Sequence, residues 1–347
     1  MSSRCREYRV GLIGCGRIAK VHADAIQQLS GFTLGAVCDI QKQARDSFAG
    51  RYHASPYASH GAMLDAESLD LIAVATPNGT HHAIAKDCFE KGFHVLLEKP
   101  ITITNADAED LVRIADQRQR HFFAVKQVRY NPSIQILKRA CDDGRLGRLF
   151  SASLVVRWTR PQEYFDQSDW RGTKRLDGGA LLNQGIHYVD VMQWLMGDVA
   201  MVYGRTDRLC HRIEIEDLAF GLMKFKSGAY GSVEFTINTY PRNLECSLTV
   251  LGERGSVKLS GAAMNEIEIW EVQNYPKPVL PKGFAPYVYA DGLYQGSCPN
   301  HIYVYQDSLK VLQGENSNFV DGKEALRSLR IVNALYKSTE TNSEVVP

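Results

Sequence analysis

The sequence predicts an α/β protein in two parts: a doubly wound parallel sheet, then an α+β domain built on a largely antiparallel open sheet. Three observations predict this. Strand-like apolar runs alternate with helix-like stretches from Tyr8 to Lys126, a glycine turn follows the first of those runs, and from Met201 to Trp270 strand follows strand through hairpin turns at Ser227-Gly228 and Gly252-Glu253-Arg254-Gly255. At 347 residues the chain exceeds one ordinary core. The change of rhythm places the boundary between a first domain, 1–127, and a second, 128–347.

Tyr8 to Ile13 reads as a buried strand, followed by Gly14-Cys15-Gly16-Arg17-Ile18-Ala19 and the helix-like Val21 to Leu29. A strand, a glycine turn and a helix N-terminus together cradle a dinucleotide pyrophosphate, the Rossmann arrangement. Gly14 permits the tight turn, Gly16 lets phosphates approach the backbone, and small Ala19 lets helix and strand pack closely, with Arg17 and Ile18 on the same rim. A second strand, Leu34 to Cys38, delivers Asp39. A carboxylate there accepts from a ribose 2′-hydroxyl and repels a 2′-phosphate, so NAD is predicted over NADP. The competing use of Asp39 is a turn or capping aspartate.

Leu69 to Ala75 forms the next strand and ends in Thr76-Pro77-Asn78, at the carboxyl edge of the sheet where ligands bind. Thr80 is placed to cap a helix from His81 to Lys91. Thr76, Pro77, Asn78 and His81 are candidate cofactor contacts and His82 is a further one, against the plainer reading of a polar turn with a surface histidine. His94 to Leu97 then runs into Glu98-Lys99-Pro100. An apolar strand that stops at an acid, a base and a proline puts the charged pair in the crevice, and Pro100 removes a donor and restricts Lys99 to extended geometry. Lys99 is the candidate proton-handling residue, the alternative being a solvated lysine at a strand end. Asn105 to Arg118 supplies a helix, Phe122 to Lys126 the last strand, and Gln127 closes the cofactor set.

Asn131-Pro132 opens a helix running to about Asp143, and Arg148 to Trp158 alternates as a long strand. Arg157, Arg160, Tyr164, Trp170 and Arg171 interleave arginines with aromatic rings. Guanidinium groups pair a diphosphate or carboxylate at two points while rings flank a base or sugar. Strand-surface charge is the competing reading for Arg157 and Arg160. After Asp177-Gly178-Gly179 a helix runs from Ala180 to about Met196, with Asn183 and His187 one turn apart on one face and Asp190 placed to orient the imidazole. Leu182, Ile186, Val189 and Leu195 mark a buried side, so a satisfied core histidine is the alternative. Tyr275 to Gly296 is a proline- and aromatic-rich loop without a period, a candidate subunit contact. Helices from His301 to Leu312 and Lys323 to Tyr336 close the chain.

Lys+Arg total 40 against Asp+Glu 39, a formal net charge of +1, and no basic block stands out, which disfavours nucleic-acid and membrane-surface partners. The eight cysteines are scattered without a CxxC pair, the usage of reduced thiols in a cytoplasmic protein. No Cys/His spacing suggests a metal site. The first apolar run is too short and too glycine-broken for a signal or membrane segment.

Gly14 to Ala19, Thr76-Pro77-Asn78, Glu98-Lys99-Pro100, Arg129-Tyr130-Asn131-Pro132 and Gly178 to Asp190 together resemble the Gfo/Idh/MocA family of NAD(P)-dependent sugar and polyol dehydrogenases, over nearly the whole chain. In that family the lysine of the EKP motif and an Asp-x-x-x-His pair form the catalytic constellation. The resemblance therefore implies catalytic roles for Lys99 and His187, with Asn183 standing where the aspartate would be. Asn183 takes no proton, which leaves proton handling to Lys99 and His187. Arg157 to Phe165, Trp170 to Thr173 and Gly179 to His187 resemble the branch that oxidises nucleotide sugars. That implies a UDP-sugar substrate, held by Lys99, Arg157, Arg160, Tyr164, Trp170, Arg171, Asn183, Gln184 and His187, with oxidation at the 3″-hydroxyl of UDP-N-acetylglucosaminuronic acid. It also implies a homotetramer assembled through the second sheet and 2-oxoglutarate as a reoxidant of bound NADH. UDP-N-acetylglucosamine or another sugar or inositol is the alternative substrate, and a catalytically silent NAD-binding sensor the alternative of another class.

Overall fold

The computed structural model describes residues 6–288 and 295–347. In chain order the first elements are β1 (Tyr8–Ile13), α1 (Ala19–Gln28), β2 (Phe32–Cys38), α2 (Lys42–Tyr52), β3 (Ser55–Tyr57), α3 (His60–Ala66), β4 (Leu71–Val74), α4 (His81–Glu90), β5 (His94–Leu97), α5 (Asn105–Gln117) and β6 (Phe122–Ala124). There follow α6 (Pro132–Asp142), β7 (Leu149–Arg157), α7 (Gln162–Asp166), a π-helical turn (Leu181–Gly185), α8 (Ile186–Met196), β8 (Val199–Asp207), β9 (Leu218–Phe225), β10 (Tyr230–Thr236), β11 (Glu245–Gly252), β12 (Gly255–Ser260) and β13 (Glu266–Val272). The last helices are α9 (His301–Leu312) and α10 (Gly322–Thr341).

The chain divides into two compact units, one of residues 1–126 and 300–326, the other of 127–299 and 327–347. The first holds a six-stranded parallel sheet in the order β3-β2-β1-β4-β5-β6. Its central strands are buried on both faces, as sheets flanked by helices require: Val10, Leu12, Ile72, Ala73, Val95 and Leu96 are fully enclosed. One correction to the sequence reading concerns the boundary. Helix α9 belongs to the first unit, where it packs on α1 and where the Tyr8 hydroxyl donates to the carbonyl of Leu312 at 2.6 Å. A single cut in the sequence cannot register a chain that leaves a domain and comes back.

The second unit holds a seven-stranded sheet, β13-β12-β11-β7-β10-β9-β8, antiparallel except where β10 runs parallel to β7. Helix α8 covers one face, burying Met192 where a Cβ on Gly231 would collide with it. The other face carries exposed Phe220, Leu222 and Tyr230. The loop read from Tyr275 to Gly296 is described only in part, 289–294 lying outside the described residues; Trp270 donates its indole N–H to the Tyr275 carbonyl at 3.0 Å. Among the described residues no helix is long and apolar enough to cross a membrane.

Candidate active site

In the first unit the glycine turn joins β1 to α1. Gly14 has φ +96°, and a Cβ on it would meet the carbonyl oxygen of Ala75 at 2.5 Å, so both the turn and the approach of β4 need glycine. A Cβ on Gly16 would meet nothing within 4 Å, which leaves open space where phosphates would come against the backbone. Ile18 precedes α1 and supplies no side-chain cap; the N–H groups of Ala19 and Val21 in the first turn go instead to the carbonyls of Gly16 and Ile18, at 3.2 and 2.9 Å, which tightens the turn into the helix. Asp39 accepts from Cys15 N at 2.8 Å and from Gln41 N at 2.7 Å, clamping the glycine turn to the end of β2. Each carboxylate oxygen keeps a second lone pair for a ribose hydroxyl. Burial and the nearby Asp39 push the Cys15 thiol up to about 12, which keeps a thiolate away from the phosphates. These residues fit a dinucleotide. Gln127 opens the second unit, where its Nε2 donates to Ser297 Oγ at 3.1 Å and its buried Oε1 has no partner among the described residues.

Glu98 ends β5 as a buried hub. Its Oε1 faces His22 Nε2 at 3.1 Å and His301 Nε2 at 2.9 Å, and its Oε2 accepts from the backbone N–H of Lys99 at 3.0 Å. Tyr305 Oη lies 2.9 Å from His22 Nδ1. Burial alone would raise the Glu98 carboxyl, but the two imidazoles hold it well below the usual carboxylate range. Burial pushes His22 down. A consistent network follows: Tyr305 donates to neutral His22, and His22 and His301 donate to an ionised Glu98. His22, Glu98 and His301 carry donor types that also hold metal ions, and here the same atoms bond to one another. Neither histidine stood out in the sequence. The signal was there for His22, which shares the buried stripe of α1 with Ala19, Ala23 and Ile26.

The proline after Lys99 is joined by a cis peptide bond. Its carbonyl lies 2.8 Å from His81 Nδ1, and His81 Nε2 lies 2.9 Å from the Thr76 carbonyl. His81 is a candidate cofactor contact by sequence; the structure encloses it completely between the Pro100 and Thr76 carbonyls, and burial pushes it down, so that the neutral ring donates to one of the two. Thr80 does not cap α4 with its side chain. Its hydroxyl turns back to the Pro77 carbonyl at 2.7 Å and Thr76 Oγ1 at 2.8 Å, because a 3-10 turn over 78–80 already leads into the helix. His82 is drawn to Asp110 at 2.9 Å on α5. Asn78 is buried beside the Thr76-Pro77 turn.

In the second unit the expected helix from Ala180 opens with the π-helical turn, so Asn183 and Gln184 precede α8 and His187 lies in its first turn, all three buried. π-turns inside helices frequently mark functional sites. Gln184 Nε2 donates to Tyr164 Oη at 3.3 Å, and the Arg171 guanidinium stacks over Tyr164 at 4.5 Å and Trp170 at 5.3 Å. Arg160, 2% exposed, lies over Trp158 at 5.0 Å and Tyr164 at 5.7 Å. Arg160, Tyr164, Trp170, Arg171 and Gln184 therefore form one cluster. Beyond Arg171 opens a cavity of about 590 Å³ lined also by Arg208, Arg212 and His211.

One expectation is corrected here. Arg157 does not join the cluster. Strand alternation buries Leu154 and Val156 and turns Arg157 to the opposite face, where it binds Glu234 at 2.6 and 2.8 Å and Glu245 at 2.9 Å. Asp190, expected to orient the His187 imidazole, takes a two-point ion pair from buried Arg129 at 2.6 and 3.0 Å.

Family models match both parts: an oxidoreductase family with an NAD-binding Rossmann fold over residues 8–126 and a GFO/IDH/MocA C-terminal domain over 134–258. Among solved structures, the chain is similar to the WlbA dehydrogenase of Bordetella pertussis in complex with NADH and UDP-GlcNAcA, at 37% identity, TM-score 0.90, covering 99% of this chain and 98% of that one. The WlbA dehydrogenase of Chromobacterium violaceum, also with NADH and UDP-GlcNAcA, is 39% identical with TM-score 0.90, covering 100% and 97%. A D-apiose dehydrogenase of Paraburkholderia graminis is 25% identical over 98% of this chain and 90% of its own. The glycine turn, the Glu98-Lys99-Pro100 edge and the two sheets thus agree with the comparisons: the chain is an NAD-dependent sugar dehydrogenase of the Gfo/Idh/MocA family.

Proposed function

We propose that the substrate is a UDP-sugar, UDP-N-acetylglucosaminuronic acid, oxidised at its 3″-hydroxyl to the 3-keto sugar in the cytoplasm, as a step in making a diamino-sugar of O-antigen or lipopolysaccharide. The observation that carries this reading is whole-length identity of 37 and 39% to two dehydrogenases whose structures hold UDP-GlcNAcA. The cavity beside Tyr164 and Trp170 supports it: its wall carries Arg171, Arg208 and Arg212 against Asp166 and Glu214, and guanidinium groups pair phosphate oxygens at two points. Bound NAD supplies the hydride acceptor. We propose that Lys99 and His187 handle the hydroxyl proton, Asn183 accepts from whichever of them carries it, and Gln184 and the Tyr164–Arg171 cluster orient the sugar nucleotide. A positioned base of this kind contributes about 10²- to 10⁴-fold. We also propose reoxidation of NADH in place by 2-oxoglutarate and a homotetramer.

The test is single-turnover reduction of NAD by a panel of UDP-sugars and free sugars, with and without 2-oxoglutarate. Reduction by UDP-N-acetylglucosaminuronic acid, lost about 10²-fold or more in Lys99→Ala and His187→Ala while NADH still binds, is expected. Reduction by a free sugar alone would move the substrate to the class of the apiose-oxidising relative. No reduction by any sugar would overturn the reading.

A further inference from the structure

Buried Asp177 stands six residues before Asn183, and its Oδ1 accepts from Asn183 Nδ2 at 2.6 Å. Its other oxygen, Oδ2, accepts from the backbone N–H of Gly172 at 2.8 Å. Both oxygens are thereby pinned within the second unit. A carboxylate only accepts, so it fixes which end of the planar Asn183 amide faces it: the NH₂ group turns toward Asp177 and the carbonyl oxygen away. A charge-assisted bond of this length is about twice as strong as a neutral one. An asparagine free to flip would present either its carbonyl acceptor or its NH₂ donors on the outward side.

We propose that Asp177 is a positioning residue for the reaction: it locks Asn183 so that an acceptor oxygen, and not an amide donor, is turned to the side chain, Lys99 or His187, that takes up the hydroxyl proton, where it accepts from the protonated group, while the buried Asp177 charge supports the same cation. The chain thus holds as an Asp177–Asn183 pair what a single carboxylate at 183 would provide. This rests on the assignment of Lys99, His187 and Asn183 to the reaction.

The test compares Asp177→Asn, Asn183→Asp and the double variant Asp177→Asn/Asn183→Asp. In Asp177→Asn the Gly172 N–H keeps the new amide's oxygen, so its NH₂ faces Asn183. Asn183 then flips and offers its donor outward, and kcat is expected to fall about 10- to 100-fold with KM for NAD unchanged. Asn183→Asp sets two carboxylates against each other; one takes a proton, so activity becomes dependent on low pH. The double variant restores a donor–acceptor pair with an outward carboxylate oxygen. It is expected to recover kcat to within about fivefold of wild type and to add one ionisation to the kcat–pH profile.

These ratios are read on whichever sugar the enzyme reduces NAD with, so a wrong sugar leaves them intact. A readout without substrate accompanies them: the Asn183 NH₂ resonances, assigned by their loss in Asn183→Asp, are expected to be slow to exchange in wild type and displaced in Asp177→Asn. Wild-type kcat in Asp177→Asn with unmoved resonances would overturn the proposal, as would a double variant that melts like wild type yet is no faster than Asp177→Asn. Failure of every sugar to reduce NAD, with the resonances behaving as expected, would instead count against the functional reading alone.

Discussion

Asp217 is fully buried at the end of the loop before β9, where five contacts converge on its carboxylate: the backbone N–H groups of Leu209, Cys210 and His211, Nδ2 of Asn238, and the His211 ring, whose Nδ1 lies at 3.1 Å. Burial raises its carboxyl, and these hydrogen bonds, Asn238 foremost, outweigh that and hold it at about 2. A carboxyl depressed on folding adds stability above its unfolded value and loses it as pH falls through the folded one. Asp217→Asn is therefore expected to lower stability by about 2 kcal/mol at neutral pH, with the gap to wild type closing between pH 4 and 2 in urea titrations. Removing Arg129 strands Asp190 in the interior, and Arg129→Met is expected to lose about 3–5 kcal/mol in the same experiment. Single residues were legible in the sequence where a local pattern marked their place in the backbone, as at Gly14 in its tight turn and Glu98 at the end of β5. Their partners were not: His22 and His301 reach Glu98 from 76 and 203 residues away, and no periodicity reports a contact across that distance.

At the scale of elements, the helix after Gly179 was legible as a helix but its first turn was not. What widens it lies elsewhere in the chain. Glu216 accepts from Leu181 N at 2.7 Å and from Tyr336 Oη at 2.8 Å, and Tyr336 Oη in turn accepts from Leu182 N at 3.1 Å. Gly179 leaves the room: a Cβ there would lie 2.1 Å from the Tyr336 hydroxyl. Gly179→Ala is expected to push α10 off this turn and lower kcat along with the melting temperature. Burial lifts the Glu216 carboxyl to about 7, offset in part by the Leu181 N–H and the Tyr336 hydroxyl. A raised carboxyl favours the fold while protonated, so its contribution is whole below about pH 4.5 and is lost as pH rises through 7. Between pH 5 and 8 wild type is expected to lose about 3 kcal/mol relative to Glu216→Gln, measured by denaturant unfolding at each pH.

For the whole molecule, the two sheet types followed from rhythm alone, because helices alternate with strands in one half and hairpin turns punctuate the other. The outer face of the second sheet shows what rhythm leaves open. Alternation along β9 sends Phe220 and Leu222 outward, beside Tyr230 of β10, and such apolar exposure marks an interaction surface. If this face carries the proposed tetramer, Leu222→Lys is expected to reduce the mass in light scattering while NADH binding persists. The return of the chain at Asn300 has a practical consequence for anyone cutting the gene. A fragment ending at Lys126 would lack the helix that supplies Tyr305 and His301, leaving His22 and Glu98 without their neighbours and the apolar side of α1 bare. A soluble NAD-binding fragment therefore requires 300–326 to be spliced back on through a linker, and exchanging substrate units between relatives needs three joints, at 126/127, 299/300 and 326/327, never a simple tail swap.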